Sequence, residues 1–450
     1  MLPQLAAFLT VMGIAFLLLY EKRVGRSLPI SQWVPLVWFL VLSSRFPGQW
    51  IRLGTPVDPM AIYSEGSPID RVFFLVLIII GFFILFRRRL VLGELLRANW
   101  WVFVFFLYCG VSLLWSDFGF IGFKRWIKEI GNLIMVLIIV TDSQGEERFK
   151  SIFRHYMYIL IPLSVLFIRY FPQIGRAYHP WTGEIQLVGV GLNKNYLGFL
   201  CLVCGFFLLW LFFTRKKREG IKTRSDTFIL TGFGVLVSWL VLTARSATAL
   251  ICLIIGAVLL FFLNMPVAKR NARSLGFLAV LLIAVYGFFQ ITADITGFII
   301  ESLGRDPTLT DRMPLWKDLL RMDINPLLGT GYDTFWLGER LETLWASRWW
   351  HPNQAHSGYI ETYLNLGIVG VMLIGILVWS AYRKNRFELE SDRTFGSFGL
   401  AYLPVFLLYN VTEAAFKGPH PIWLLFLLCA VKSPGFDTLK IPKGKHSLSS

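Results

Sequence analysis

Val72-Phe73-Phe74-Leu75-Val76-Leu77-Ile78-Ile79-Ile80-Gly81-Phe82-Phe83-Ile84-Leu85-Phe86-Arg87-Arg88-Arg89 is the stretch whose reading decides the fold. An unbroken apolar run ends abruptly in three arginines. A run with no charge and no polar face has no water-facing side, so it belongs in hydrocarbon. The arginines at its end carry the positive-inside signal of a cytoplasmic connection. Similar runs recur along the whole chain.

The composition agrees. Of the 450 residues 55% are hydrophobic, 40 are Phe and 17 are Trp, and the mean hydropathy is +0.59. Charged residues make up 16%, against about 25% in soluble domains. The reading is an all-α polytopic membrane protein of twelve or thirteen transmembrane helices. One long extracytoplasmic loop carries short helices. A lipid-facing β-barrel would show short alternating strands, and the sequence has none. The net charge of +16 would suggest nucleic acid in a soluble protein. Here it lies in short clusters beside apolar runs, such as Arg215-Lys216-Lys217-Arg218, and reads as topology. Cys109, Cys201, Cys204, Cys252 and Cys429 all fall within apolar runs and read as small apolar residues. No Asp/Glu/His cluster suggests a metal, and no cofactor is expected.

The expected spans are Leu5–Tyr20, Pro29–Leu42, Val72–Phe86, Ala98–Trp115, Phe123–Val140, Ile152–Ile168, Asn195–Phe213, Phe228–Thr243, Ala247–Asn264, Leu275–Ile291, Tyr359–Tyr382, Phe398–Phe416 and Pro421–Val431. The short runs 29–42 and 421–431 either cross fully or re-enter. The start lacks the basic region and cleavage site of a signal peptide. The organisation is a helix bundle over 1–291, a catalytic loop over 292–358, further helices over 359–432 and a polar cytoplasmic tail over 433–450. Alternating the basic connections places the loop outside the cytoplasm.

Several cations then stand on the wrong side for that rule: Lys124, Arg125, Arg169, Lys194 and Arg245, joined by Arg305 and Arg312 from the loop. Arg245 lies in the shortest of these connections, Ala244-Arg245-Ser246, at or below the membrane surface, where an ionisable group is costly and points to function. These cations either reach lipid headgroups, pair with a carboxylate such as Glu413 or Asp117, or converge on a diphosphate, whose oxygens match the guanidinium fork. Gly189-Val190-Gly191-Leu192-Asn193-Lys194-Asn195 sets glycines, amides and a lysine at a helix start, which is either an anion site or an ordinary cap.

Within the loop, Thr310 or Asp311 can cap a helix in which Leu315, Trp316, Leu319 and Leu320 share one face, opposite Lys317, Asp318 and Arg321. This reads as an amphipathic helix lying in the membrane interface. Asn325-Pro326 and Gly329-Thr330-Gly331 supply turns. Trp336, Trp345, Trp349 and Trp350 serve either as interfacial anchors or as platforms for sugar faces. His356 follows polar amides at the end of the loop and is placed to act as a general base. Glu361, one turn into the next span, and Glu413, buried in another, either orient His356 or pair with an arginine.

The ordered set Gly304-Arg305-Asp306-x-Thr308-Leu309-Thr310-x-Arg312, Pro326-Leu327-Leu328-Gly329-x-Gly331-Tyr332, Ala355-His356-x-Gly358-Tyr359-x-Glu361 and Leu366-Gly367-x-x-Gly370 resembles the O-antigen ligase/O-antigen polymerase superfamily. Within it the ExoQ-like exopolysaccharide-production branch is the nearest in pattern. Leu114-Trp115-Ser116, Lys124-Arg125-Trp126, Asn193-Lys194-Asn195, Ala244-Arg245-Ser246 and Asn410-Val411-Thr412-Glu413 extend the likeness over most of the chain.

The resemblance implies a metal-independent, GT-C-like membrane glycosyltransferase. Such enzymes take a glycan from an undecaprenyl-diphosphate carrier and pass it to an acceptor hydroxyl on a glycan or lipid. By position, Arg245 and Arg312 match the family's diphosphate-binding arginines and His356 its activating histidine. Arg305, Lys194, Asn195, Lys124, Arg125, Glu361 and Glu413 complete the expected substrate-binding set. Two positions depart from the pattern: Ser357 stands where Asn often follows the histidine, and Asp311 where Gly usually precedes the arginine.

The expected role is polymerisation of exopolysaccharide or O-antigen repeat units. The alternative is ligation of finished glycan to lipid A-core or protein. A transporter or flippase of lipid-linked sugar is the rival of another class; it would carry inverted repeats or interrupted helices. Expected partners are the undecaprenyl-diphosphate-linked oligosaccharide, the acceptor, the bilayer and other polysaccharide-assembly proteins, and not nucleic acid.

Overall fold

The apolar residues 72–86 fold within one helix, Pro68–Arg87, and its sequence explains both ends. Pro68 occupies the first turn, where its missing N–H costs nothing, Asp70 sits near the positive end of the helix dipole and Arg87 near the negative end. Most of its apolar side chains face outward, Val72, Phe82 and Phe86 among them. Gly81 lets the other face lie against Ile134, Met135 and Ile138.

This is a computed structural model, and it describes residues 2–51, 66–88, 90–178, 183–214, 224–267, 312–348, 350–391 and 393–433. In chain order the helices are α1 (Pro3–Arg23), α2 (Ile30–Leu42), α3 (Pro47–Ile51), α4 (Pro68–Arg87), α5 (Leu92–Val111), α6 (Gly119–Val140), α7 (Gly145–Tyr170), α8 (Pro172–Gly175), α9 (Lys194–Thr214), α10 (Arg224–Ala244), α11 (Ala247–Leu263), α12 (Arg312–Arg321), α13 (Glu339–Ser347), α14 (Gly358–Glu390), α15 (Thr394–Thr412) and α16 (Pro421–Ala430). One small antiparallel hairpin, β1 (Arg176–Tyr178) with β2 (Ile185–Leu187), interrupts them. Eight helices among the described residues are long and apolar enough to cross a membrane, and α2, α11 and α16 are shorter apolar helices. α6 carries Lys124, Arg125, Lys128 and Glu129 in addition. The protein is therefore an all-α polytopic membrane protein. The expected span 275–291, the start of the loop with Arg305, and the tail from 434 lie outside the described residues.

The helices differ in depth. α1 shows lipid-facing side chains on almost every turn, whereas α7 and α9 are mostly buried. α16 is buried along its full length. Ten residues make about 15 Å of helix, roughly half a bilayer core. Its last carbonyls are met inside the protein: Lys384 Nζ donates to Leu428 O and Val431 O, and Asn385 Nδ2 to Cys429 O. All five cysteines are free and buried, as small apolar residues in helices should be.

α14 is interrupted at Gly367, where φ is +62°. The loop segment from Pro326 enters the break. Ile368 N donates to Pro326 O (2.9 Å) and Val369 N to Leu327 O (3.3 Å); on the other side Thr330 N and Gly331 N donate to Leu364 O and Asn365 O. A side chain at Gly367 would collide with the Leu327 carbonyl, so the interruption requires glycine. Interrupted helices were expected of the transporter reading alone; one is present here, stabilised by protein backbone rather than by an open cavity.

The described part of the loop, 312–348 and 350–357, packs Leu315, Leu319, Phe335, Trp336, Leu341, Leu344 and Ala355 into a separate core with Leu364 of α14. This corrects the expectation that Arg312–Arg321 lies in the membrane interface. Leu315 and Leu319 are fully buried against the loop's other apolar side chains, and only Leu320 of that face points outward.

At one end of the bundle, a charged cluster ties α1 to α7 and α10. Arg26 pairs with Glu21 (3.1 Å) and Asp226 (2.6 Å), Arg154 lies 3.8 Å from Glu21, and Tyr158 and Tyr20 donate to Glu21 and Asp226.

Candidate active site

The opposite end of the bundle gathers most of the described residues singled out by sequence. α15 ends at Thr412 because Glu413 turns extended (φ −139°, ψ 148°), and Glu413 O accepts from Gly358 N at the start of α14. Glu413 was expected inside a span; it lies just past the end of one. That step out of the helix aims its carboxylate back at the loop. Glu413 Oε1 accepts from Arg312 Nη2 (3.3 Å) and from Asn195 Nδ2 (2.9 Å). Arg312 Nη1 also donates to Thr412 O. Burial raises the Glu413 pKa, and the charges of Arg312 and Lys194 oppose that rise.

Arg245 occupies the turn between α10 and α11 in the left-handed region (φ +51°), and its side chain is exposed. The turn is fastened to the same spot: Thr248 Oγ1 and Thr412 Oγ1 share a 2.7 Å hydrogen bond. Thr412 thus contacts the Arg245 turn through its hydroxyl and Arg312 through its carbonyl. Ser246 packs on Gly198 of α9, where a larger residue would push the turn away.

His356 completes the arrangement. Its φ is +51°, a conformation that non-glycine residues adopt at a cost of about 1–3 kcal/mol and that clusters at functional sites. Its ring lies 6.3 Å from that of Trp350. Its Nδ1 is buried and has no hydrogen-bond partner among the described residues. Burial, then the charges of Arg312 and Lys417, lower its pKa to about 3, so the imidazole is neutral near pH 7. A neutral imidazole can accept a proton, and a buried nitrogen without a partner needs a reason.

A second network stands beside the first. The Glu361 carboxylate is buried and accepts from Trp336 Nε1 (2.9 Å), Lys417 Nζ (2.7 Å) and the backbone N–H of Ala355 (2.8 Å). Lys417 also faces Asp333 (3.6 Å), which Arg125 approaches from α6 through both its carbonyl and its carboxylate. Lys124 lies over the Phe120 ring. Glu361 and Arg125 therefore belong to the surroundings of Asp333 and Lys417, while Arg312, Lys194, Asn195 and Glu413 form the cluster beside His356. Lys417 and Asp333 were not singled out by sequence. Lys417 carried the same signal as Lys194, a cation at the wrong end of an apolar run.

Other expectations resolve locally. Asn193 Oδ1 accepts from the N–H groups of Asn195 and Tyr196, so the first turn of α9 is capped by its own side chain and those amides are already used. Trp316 and Trp345 donate their indole N–H to Ala355 O and Pro352 O, which fixes them as braces of the loop. Arg169 stacks on Trp239, and Asp117 pairs with Arg340. Trp349 and Arg305 lie outside the described residues.

Residues 230–375 match the family model described as O-antigen ligase. The match supports membership of the O-antigen ligase/polymerase superfamily and a role in glycan transfer, and it spans Arg245, Arg312, His356 and Glu361. It does not reach Asn195, Glu413 or Lys417. No curated protein matches the chain.

Proposed function

We propose that the protein is a glycosyltransferase that moves glycan from a lipid-diphosphate carrier, undecaprenyl diphosphate, to an acceptor hydroxyl, and that it polymerises repeat units. One observation carries the reading: a buried histidine, held in a strained turn with an unpartnered nitrogen, sits beside an arginine bonded to Thr412, whose hydroxyl bonds Thr248 three residues after a second arginine, Arg245.

The chemistry follows from the groups. His356 takes the proton of the acceptor hydroxyl as that oxygen bonds to the anomeric carbon. The bond from that carbon to the diphosphate breaks, and the electron pair leaves on the diphosphate. Arg312 and Arg245 stabilise the departing charge, as preorganised cations do in a site shielded from water. Glu413 keeps the Arg312 fork in place before donor binds. A bound diphosphate also offsets the Arg312 charge and raises the His356 pKa from its low resting value, so donor binding readies the base. Lys194 and Asn195 extend the anion surface, Arg305 is assigned to the same anion by the family resemblance alone, and the loop faces away from the cytoplasm.

The test is reconstitution of the full chain with a lipid-diphosphate oligosaccharide. Chains that lengthen on the carrier support polymerisation. Transfer only to an added lipid or protein acceptor turns the assignment to ligation. Donor movement across the bilayer with no new glycosidic bond overturns the enzyme reading. His356→Ala and Arg312→Ala should each cut transfer by about 10²-fold or more; full activity in both would refute this site.

A further inference from the structure

We propose that Lys417, clamped on the Glu361 carboxylate, is a positioning residue for the His356 turn and sets the state in which that residue works. This rests on the proposed transfer reaction and adds to it a residue outside the family match.

The geometry is a relay. Lys417 Nζ and Trp336 Nε1 both donate to Glu361 Oε1, while Oε2 takes the N–H of Ala355, the residue directly before His356. One carboxylate therefore ties the loop core, the connection after α15 and the strained turn together. Ala355 is held from its other side by Trp316, which donates to its carbonyl. Both peptide groups flanking the turn's entry are thus fixed, and His356 is kept at φ +51° with no room to relax. Lys417 is in turn held by Asp333, itself in the left-handed region (φ +54°) and met by Arg125.

The charges that face His356 come from four elements: Arg312 on α12, Glu361 on α14, Glu413 at the end of α15, and Lys417 in the connection that follows. Lys417 therefore acts in two ways. It fixes the carboxylate that positions the turn, and its charge helps to keep the imidazole neutral. A merely structural ion pair would move stability alone.

The experiment compares Lys417→Met, Lys417→Arg and the Lys417→Met/Glu361→Gln pair in the full-length protein. Two readouts are taken across pH: transfer from the lipid-diphosphate donor, and carbethoxylation of His356 by diethyl pyrocarbonate, followed by mass spectrometry. Lys417→Met should lower kcat about tenfold or more with donor KM little changed. It should also move the acid limb of both profiles up by about one pH unit, because one of the two cations that disfavour imidazolium is gone. Lys417→Arg should restore the limb. The double variant removes both charges without leaving a buried carboxylate unpaired, and it keeps the test open if the single variant does not fold. An unmoved limb in folded Lys417→Met would overturn the proposal, and so would wild-type kcat in the double variant, where the two lost charges offset each other at His356. If His356→Gln retains transfer while Lys417→Met still shifts carbethoxylation, the positioning role stands and the assignment of His356 as base falls.

Discussion

The two ends of the bundle both bury charge, and they do so differently. At the Glu21 end, two carboxylates, Glu21 and Asp226, meet two guanidiniums, Arg26 and Arg154, and tyrosine hydroxyls fill the gaps. These charges cancel. At the His356 end, Glu413 faces Arg312 and Lys194 close to the exposed Arg245, and four non-glycine residues, Arg245, Asp333, His351 and His356, hold positive φ. No other described non-glycine residue does. A neutral, sealed cluster joins helices; a cation-rich, strained one has an anion as its natural complement.

The comparison breaks most sharply under substitution. Arg312→Ala should cut transfer by about 10²–10³-fold with a small change in Tm, since it removes charge stabilisation in the transition state. Glu21→Gln should do the reverse. It leaves Arg154 and Arg26 short of a buried partner, costs about 3 kcal/mol and lowers Tm, while kcat per folded molecule stays near wild type. Activity and melting curves on both variants in the same detergent check the contrast; loss of kcat from Glu21→Gln in fully folded protein would erase it.

Thr248→Val tests the link between the two arginines. The hydroxyl pair with Thr412 is worth about 1 kcal/mol, so kcat should fall several-fold, with little effect on Tm. Unchanged kinetics would mean that the Arg245 turn holds its place without Thr412.

A further contrast is in pH. The His356 pKa is lowered from its ordinary value to about 3, so the unfolded chain binds more protons than the folded one between about pH 3 and 6.5. Its contribution to stability is present above that window and is lost as pH falls through it. Melting curves of the ligand-free protein should therefore decline less steeply on acidification in His356→Gln than in wild type. Inorganic diphosphate should reduce the wild-type decline, because an anion beside Arg312 lifts the folded pKa back toward 6.5.

The helices were legible because hydropathy is a local signal: the expected runs over the described residues all fold as helices. Their ends were less so. Glu413 lies past α15 because its carbonyl is claimed by Gly358, fifty-five positions earlier, and no local pattern encodes that. The break at Gly367 depends in the same way on the distant Pro326 segment. Arg245, Arg312 and His356 stood out as charges or bases in the wrong solvent. Glu361 stood out too, but its partners Lys417 and Trp336 converge only in the folded chain, so its place as a hub could not be read. The glycine-rich run before α9 read equally as an anion site or a cap; Asn193 Oδ1 supplies the cap, while Asn195 bonds Glu413 and the Lys194 charge acts on the same carboxylate.

The interruption of α14 has a mechanical consequence. Pro326, Leu327, Thr330 and Gly331 are bonded by backbone to both halves of the split helix, so this part of the loop moves only if four interstrand-like bonds open together. A loop riveted there cannot lift as a lid about its middle. Any rearrangement of the loop must therefore hinge outside 326–331, with the split helix as its fixed anchor.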